Sequence, residues 1–411
     1  MKIAVVGGGA AGMMAAAAAA GRGAEVSVFE KNEKLGKKLF ITGKGRCNLT
    51  NSCDNADFFG NVISNPKFLY SAIYGFDQES VRAFFEDNGC ALKEERGGRI
   101  FPVSDHSSDV IKTLEGVLKK RNVQIYLNTR IGFIRKTDEG FVLGTEGREL
   151  NFDRVILACG GPAYPSTGAD MKGYSLAENL GHTKTGLYPA LVPLEVAEAE
   201  ECRALMGLSL KNVSLCMKSG KKIYEGFGEM LYTHFGLSGP LVLSASSVYS
   251  GRYEGKETKL YIDLKPALSH EQLDKRILRD FEENMNRQFK NVLRLLLPGK
   301  MAEIFPARVG IAGDKYIREI TKAERERLVS VLKSLEYNVT GTRGFEESII
   351  TKGGIKVKEV DPATMGSRIV KGLYIAGEML DVDALTGGYN LQIAWATGHA
   401  AGVAAAEEVW E

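Results

Sequence analysis

The opening of the chain constrains the fold most. Ile3-Ala4-Val5-Val6 is a short apolar run suited to a strand buried on both faces. It leads into Gly7-Gly8-Gly9-Ala10-Ala11-Gly12, which fits GxGxxG, and then into the helix-forming run Met13 to Ala20. Each motif glycine has its own physical task. Gly7 allows a tight turn, Gly9 lets the backbone approach a pyrophosphate, and Gly12 lets helix and strand pack closely. Free N–H groups at the helix start, Ala11 among them, with the helix dipole behind them, suit phosphate binding. A second strand, Glu25 to Phe29, ends at Glu30, whose carboxylate can accept from both ribose hydroxyls of an adenosine and would repel a 2′-phosphate. GxGxxG alone is weak; with a strand before it, a helix after it and an acid at this distance it is a dinucleotide fingerprint.

This half-motif does not choose between FAD and NAD. Two later features favour FAD. Arg154 to Gly161 (RVILACGG) reads as a buried strand ending in a glycine turn, and Gly372 to Glu378 (GLYIAGE) as another ending in glycine and an acid. Gly387-Gly388-Tyr389-Asn390-Leu391 then opens the last helix, whose N–H groups can face a second anionic region. A flavin needs such an end, because its reduction places negative charge around N1 and the C2 carbonyl. Two nucleotide-facing helix starts at opposite ends of the chain suit one long FAD better than two short ligands.

Composition excludes several other classes. Among 411 residues, Lys+Arg 53 against Asp+Glu 51 leaves a net charge of +2, so no global field recruits nucleic acid or anionic lipid. The 6 cysteines lack CxxC pairs, which argues against a disulfide framework and a cysteine zinc site. Glycines interrupt the run Ile3 to Ala20 where a secretory signal would be helical, and no uninterrupted apolar stretch approaches the roughly 20 residues of a membrane span. A cytoplasmic protein without membrane or nucleic-acid partners is expected.

The run Gly36 to Asn51 (GKKLFITGKGRCNLTN), the segment Thr233 to Pro240 (THFGLSGP) and the tail from Thr351 to Gly402, with Gly377-Glu378, Asp381 and Thr386 to Gln392 (TGGYNLQ), together resemble a bacterial flavoprotein family. That family includes aminoacetone oxidase and the bile-acid 3-oxo-Δ4 reductase of gut clostridia, and the resemblance covers nearly the whole chain. It implies an α/β fold: a Rossmann-type FAD-binding domain interrupted by a β-rich, barrel-like domain and a small helical domain. It also implies noncovalent FAD held by Gly12, Glu30, Lys38, Arg46, Cys47, Asn48, Ile131, Gly377, Glu378, Asn390 and Leu391. Gly7, Gly9, Ala11, Lys31 and Gly388 join this set from the two glycine turns and the basic loop. Ile131 is included because Val123 to Ile131 looks like the strand that meets the adenine in related flavoproteins. Cys159 departs from the family, which more often has threonine there.

The texture of the chain places residues 1–190 and 356–411 in the FAD-binding domain. Alternating or β-branched segments place 191–268 and 336–355 in the β-rich domain. Capping boxes at Ser269 with Gln272 and Thr321 with Glu324 mark a helical subdomain over 269–335, with Pro298 and Pro306 as breaks.

Candidate chemistry is sparser. The basic loop (Lys31, Lys34, Lys37, Lys38, Lys44, Arg46) is read as covering FAD phosphates or solvated. Cys47 beside Arg46 invites a redox reading, but without a resolving cysteine packing is the simpler role. His234 and Tyr389 are the candidate proton donors. His106, His182, His270 and His399 show no metal-ligand spacing, and no metal is expected. A second GxGxxG is missing, so NAD(P)H as donor would visit the substrate face transiently. The expected activity is hydride transfer through flavin N5 to or from a small molecule, leaning to reduction of a C=C conjugated to a ketone in a bile-acid- or steroid-like substrate. Oxidation of an amine such as aminoacetone by O2, and a structural or regulatory flavoprotein, are the alternatives.

Overall fold

The computed structural model describes residues 1–407, and its contacts divide the chain into two units, Met1–Ala190 with the stretch from Gly344 onward, and Leu191–Arg343. Residues 408–411 of the expected FAD-binding domain lie outside the described residues.

A five-stranded parallel sheet centres the first unit, in the order Leu373–Ile375, Arg154–Leu157, Lys2–Val6, Glu25–Phe29, Gln124–Tyr126. In register, Val5 stands between Val28 and Ile156, and all three are fully buried. That explains why these strands read as continuous apolar runs instead of alternating ones. The order reverses beside Lys2–Val6, which creates the crevice where ligands bind in such sheets.

The helix Ala10–Gly21 follows the first strand. Its alanine run fits close packing on the sheet and also admits the last helix, Tyr389–Ala406. A Cβ on Gly398 would lie 2.4 Å from the Ala11 carbonyl oxygen, and one on Gly402 2.3 Å from that of Ala15. The two helices therefore meet backbone to backbone.

Several expectations need correction. The strand anticipated over Val123 to Ile131 stops at Tyr126, and a three-stranded antiparallel sheet follows over Phe133–Thr137, Gly140–Thr145 and Arg148–Phe152. Residues 344–355, expected in the β-rich domain, belong to the first unit, because Ile350–Lys352 pairs with Tyr188–Ala190.

The second unit is a closed six-stranded barrel, in the order Leu194–Val196, Gly236–Ser238, Lys221–Tyr232, Ser209–Ser219, Thr258–Asp263, Leu335–Thr342. Its helices share one apolar core with the barrel, so residues 269–335 are not a separate unit. Both capping boxes form, at Ser269 with Gln272 and Thr321 with Glu324. Pro298 precedes a helix as expected, but Pro306 sits buried inside that helix, Gly299–Val309.

Candidate functional site

A cleft of about 1500 Å³, counting its open mouth, lies in the first unit at the carboxyl ends of Lys2–Val6 and Arg154–Leu157. Val6 to Ala11 form one wall, Ala158 to Gly161 another, and Asn390, Leu391, Ile393 and Ala394 of the last helix a third.

The glycine turn is built as its motif requires. Gly7 has φ +110°, and a Cβ there would fall 2.4 Å from the Ala158 carbonyl oxygen. A Cβ on Gly12 would fall 1.9 Å from the Gly7 carbonyl oxygen, whereas one on Gly9 would meet nothing within 4 Å. Gly7 and Gly12 thus serve the fold, while Gly9 keeps the cleft open. No side chain caps the helix that starts at Ala10, which leaves its first N–H groups for a ligand.

Around Glu30 the cleft is organised by charge. The Glu30 carboxylate accepts from the N–H of Gly8 at 2.7 Å and of Asn32 at 2.8 Å, and from the Asn32 amide at 2.7 Å. Asp170 takes Lys31 at 2.6 Å and Arg130 at 2.8 Å, and accepts from the N–H of Lys172 at 2.9 Å. Burial works to raise the Asp170 pKa, but these hydrogen bonds outweigh it and hold the carboxyl below its ordinary range. Further along, Lys38 pairs with Glu378 at 2.8 Å, and Glu378 also accepts from the N–H of Thr351 at 2.6 Å.

Of the residues singled out from sequence, Gly7, Gly9, Ala11, Glu30, Lys31, Lys38, Ile131, Glu378, Asn390 and Leu391 line this cleft. Gly12, Gly377 and Gly388 do not; they permit close approaches behind it. Gly377 (φ +70°) would bring a Cβ 2.7 Å from that of Ala11, and Gly388 (φ +98°) one 2.4 Å from the Thr50 carbonyl oxygen.

The loop residues Arg46, Cys47 and Asn48 are also absent from the lining, contrary to expectation. Arg46 is held by Glu95 and by Asp105 (2.8 Å) and lies 4.2 Å over the Phe101 ring. Cys47 is fully buried, and burial pushes its thiol well up, away from the thiolate a redox role needs. Asn48, with its amide oriented to satisfy both ends, donates to the carbonyls of Ile100 and Thr50 and accepts from the Gly388 N–H.

The candidate acids fare differently from the cleft residues. Tyr389 does not line the cleft, because its ring turns into the protein beside Phe58, and burial and the nearby Cys53 push its hydroxyl up to about 12. His234 lies exposed in the second unit, in the turn before Gly236–Ser238, its ring edge-on to Phe235 at 4.9 Å. Sequence reasoning missed Asn32, Thr129, Arg130 and Asp170, which line the cleft from loops without a motif of their own, and Thr351, which lines it from the strand Ile350–Lys352.

FAD fits these residues. The cleft runs unbroken from the acid at Glu30, past two uncapped helix starts, to Leu391, and a Cβ at Gly9 would project into free space.

Residues 1–404 match the family described as HI0933-like protein Rossmann domain. The chain belongs to this family. Among its relatives, the chain is 36% identical to the 3-dehydro-bile acid delta(4,6)-reductase of Clostridium scindens, over 93% of each chain. It is 30% identical to the ribosomal RNA dihydrouridine synthase of Haemophilus influenzae, over 92% of each. Among solved structures, 3-ketosteroid delta1-dehydrogenase from Sterolibacterium denitrificans in complex with 1,4-androstadiene-3,17-dione is similar in fold, with a TM-score of 0.52, 16% identity, and coverage of 98% of this chain and 99% of that one. The name of the ribosomal RNA relative weighs only weakly against the expectation that this chain has no nucleic-acid partner. Among the described residues, no helix is long and apolar enough to cross a membrane.

Proposed function

We propose that this chain, an FAD-dependent oxidoreductase, reduces a carbon–carbon double bond conjugated to a ketone in a bile-acid- or steroid-like small molecule, with NAD(P)H as donor. The observation that carries the cofactor reading is the single cleft joining Glu30 to the start of the last helix. Glu30 would accept from the adenosine ribose, the N–H groups from Gly9 to Ala11 would face the pyrophosphate, and the start of the last helix would face the flavin's pyrimidine end. FAD, when bound, supplies hydride transfer through N5. The chain's residues hold the cofactor, exclude water along the apolar walls and leave the flavin end to the substrate.

The substrate class is supported by the Clostridium scindens relative, whose name describes saturation of a ring double bond conjugated to a carbonyl. A second reading has one specific support. Forming dihydrouridine is the same chemistry on a uracil ring in RNA, and a relative at 30% identity carries that name. The basic loop favours the small molecule, because most of its cations are occupied within the chain; Lys44 is exposed. Lys31 pairs with Asp170, Lys37 with Glu33, Lys38 with Glu378 and Arg46 with Glu95 and Asp105, while Lys34 lies over Phe40. No observation favours an amine oxidase or a structural flavoprotein.

Anaerobic reduction with NADH or NADPH, followed by mixing with a 3-oxo-Δ4 steroid, a uridine-containing ribosomal RNA fragment or an amine with O2, tests this. Rapid flavin reoxidation by the enone, with the saturated ketone as product, is expected. Turnover only with the RNA would establish the second reading, and peroxide formed only with the amine would refute both.

A further inference from the structure

The signature loop contains residues whose function the cleft does not explain, since Arg46, Cys47 and Asn48 all turn away from it. Their successors point to a different task. Each residue from Asn48 to Asn51 is tied to the start of the last helix. The Gly388 N–H donates to the Asn48 side-chain oxygen at 3.0 Å, and the Leu49 carbonyl accepts from the Trp395 indole at 3.0 Å. The Thr50 hydroxyl donates to the Gln392 amide oxygen at 2.7 Å, and the Asn51 amide donates to the Gly387 carbonyl at 3.1 Å.

This stretch is itself fixed. Leu49 N–H donates to the Ile100 carbonyl at 2.9 Å, the Asn48 amide reaches the same carbonyl at 3.1 Å, and Thr50–Asn51 pairs with Arg99–Ile100. The helix start needs such outside support. Gly388 is in the left-handed region (φ +98°, ψ −7°) and no side chain caps the helix. The Asn390 side chain, although beside the cleft, is engaged by the Ala384 N–H (3.0 Å) and carbonyl (2.8 Å). Besides the apolar surfaces of Leu391, Ile393 and Ala394, this helix end offers the cleft its N–H groups and dipole, and their aim depends on where Gly387 and Gly388 are held.

We infer that Asn48 is a positioning residue that, through the Gly388 N–H, aims the start of the last helix at the flavin and so sets the cofactor's balance between oxidised and reduced forms. The inference rests on the FAD reading above.

The test compares wild-type holoenzyme with Asn48→Ala, Asn48→Asp, Thr50→Val and a control. The control, Val81→Ala, opens a buried site on the helix Gln78–Asp87 of the same unit. FAD dissociation constants and two-electron midpoint potentials are measured alongside thermal stability. Asn48→Asp places a negative charge beside the helix start, and should disfavour the reduced cofactor about tenfold, a potential ~30 mV lower for a two-electron couple. Asn48→Ala and Thr50→Val should shift it the same way by less, and Val81→Ala should lower stability alone. Should Asn48→Asp fail to fold, the other two variants decide. Potentials and FAD affinities of Asn48→Ala and Thr50→Val indistinguishable from the control overturn the inference. A wild-type chain that takes up no FAD overturns the cofactor reading itself, which is a separate result.

Discussion

Two glycines of one motif should respond to mutation in opposite ways. A methyl group on Gly12 would be 1.9 Å from the Gly7 carbonyl oxygen, between a buried helix and strand, so Gly12→Ala forces backbone apart. Overpacking of this kind costs about 1–3 kcal/mol, and apoprotein unfolding should move to lower denaturant by that amount. Gly9 has φ −84° and faces open cleft, so valine is conformationally allowed there. The loss of a favourable N-cap glycine costs at most about 1 kcal/mol. The branched side chain, however, stands where a pyrophosphate must approach, and FAD affinity should fall at least ~100-fold, about 2.7 kcal/mol. Denaturant unfolding of the apoproteins and FAD titration by fluorescence quenching separate the two effects. Gly9→Val with normal FAD affinity, or Gly12→Ala with unchanged stability, would refute this division of labour.

Other substitutions probe the rest of the cleft. Glu30→Ala removes the acceptor for the Gly8 and Asn32 N–H groups as well as for the ribose. It should lower apoprotein stability by about 1–3 kcal/mol and weaken FAD at least tenfold; unchanged affinity by titration removes Glu30 from the site. Asp170→Asn releases Lys31 and Arg130 and makes the cleft more positive, so dissociation of the anionic FAD should slow and become more salt-dependent in stopped-flow chase experiments; an unchanged salt dependence would place the pair away from the phosphates. Asp383 is fully buried, and its carboxylate oxygens have no well-formed hydrogen bond, Ser64 being the nearest donor. Burial raises its pKa, with Asp381 adding to the rise and Ser64 and Lys352 opposing it. A raised carboxyl destabilises the fold increasingly as pH climbs from the unfolded value, near 4, through the folded one. Asp383→Asn should therefore be more stable than wild type at pH 8, with an advantage that shrinks as pH falls towards 4; a constant difference across that range would contradict it.

Local chemistry made part of this molecule legible in advance. The turn glycines, the two capping boxes and the apolar central strands each depend on neighbours close in sequence, and each formed as expected. Signals failed where a distant partner decides. Nothing near Pro306 shows that it will be buried inside a helix, and nothing near Ile350 announces its pairing with Tyr188–Ala190. The same limit applies to the cleft. Glu30 and Asn390 sit beside recognisable turns, whereas Asp170 matters only because folding brings Lys31 and Arg130 to it. The signature loop misled most instructively, since Arg46 and Asn48 spend their polarity on Glu95, Asp105 and Gly388. A memorable motif marks a demanding geometry without saying whether a ligand or the polypeptide makes the demand.

The contact of Gly398 and Gly402 with the carbonyls of Ala11 and Ala15 has a consequence for biosynthesis. The first helix is synthesised long before its partner, and its alanine-rich flank stays uncovered until Tyr389–Ala406 has been made. A truncated or stalled nascent chain would expose that flank without the third cleft wall, and so invite chaperone capture or aggregation. The third wall of the cleft, and with it a complete cofactor site, forms only once Tyr389–Ala406 has been made.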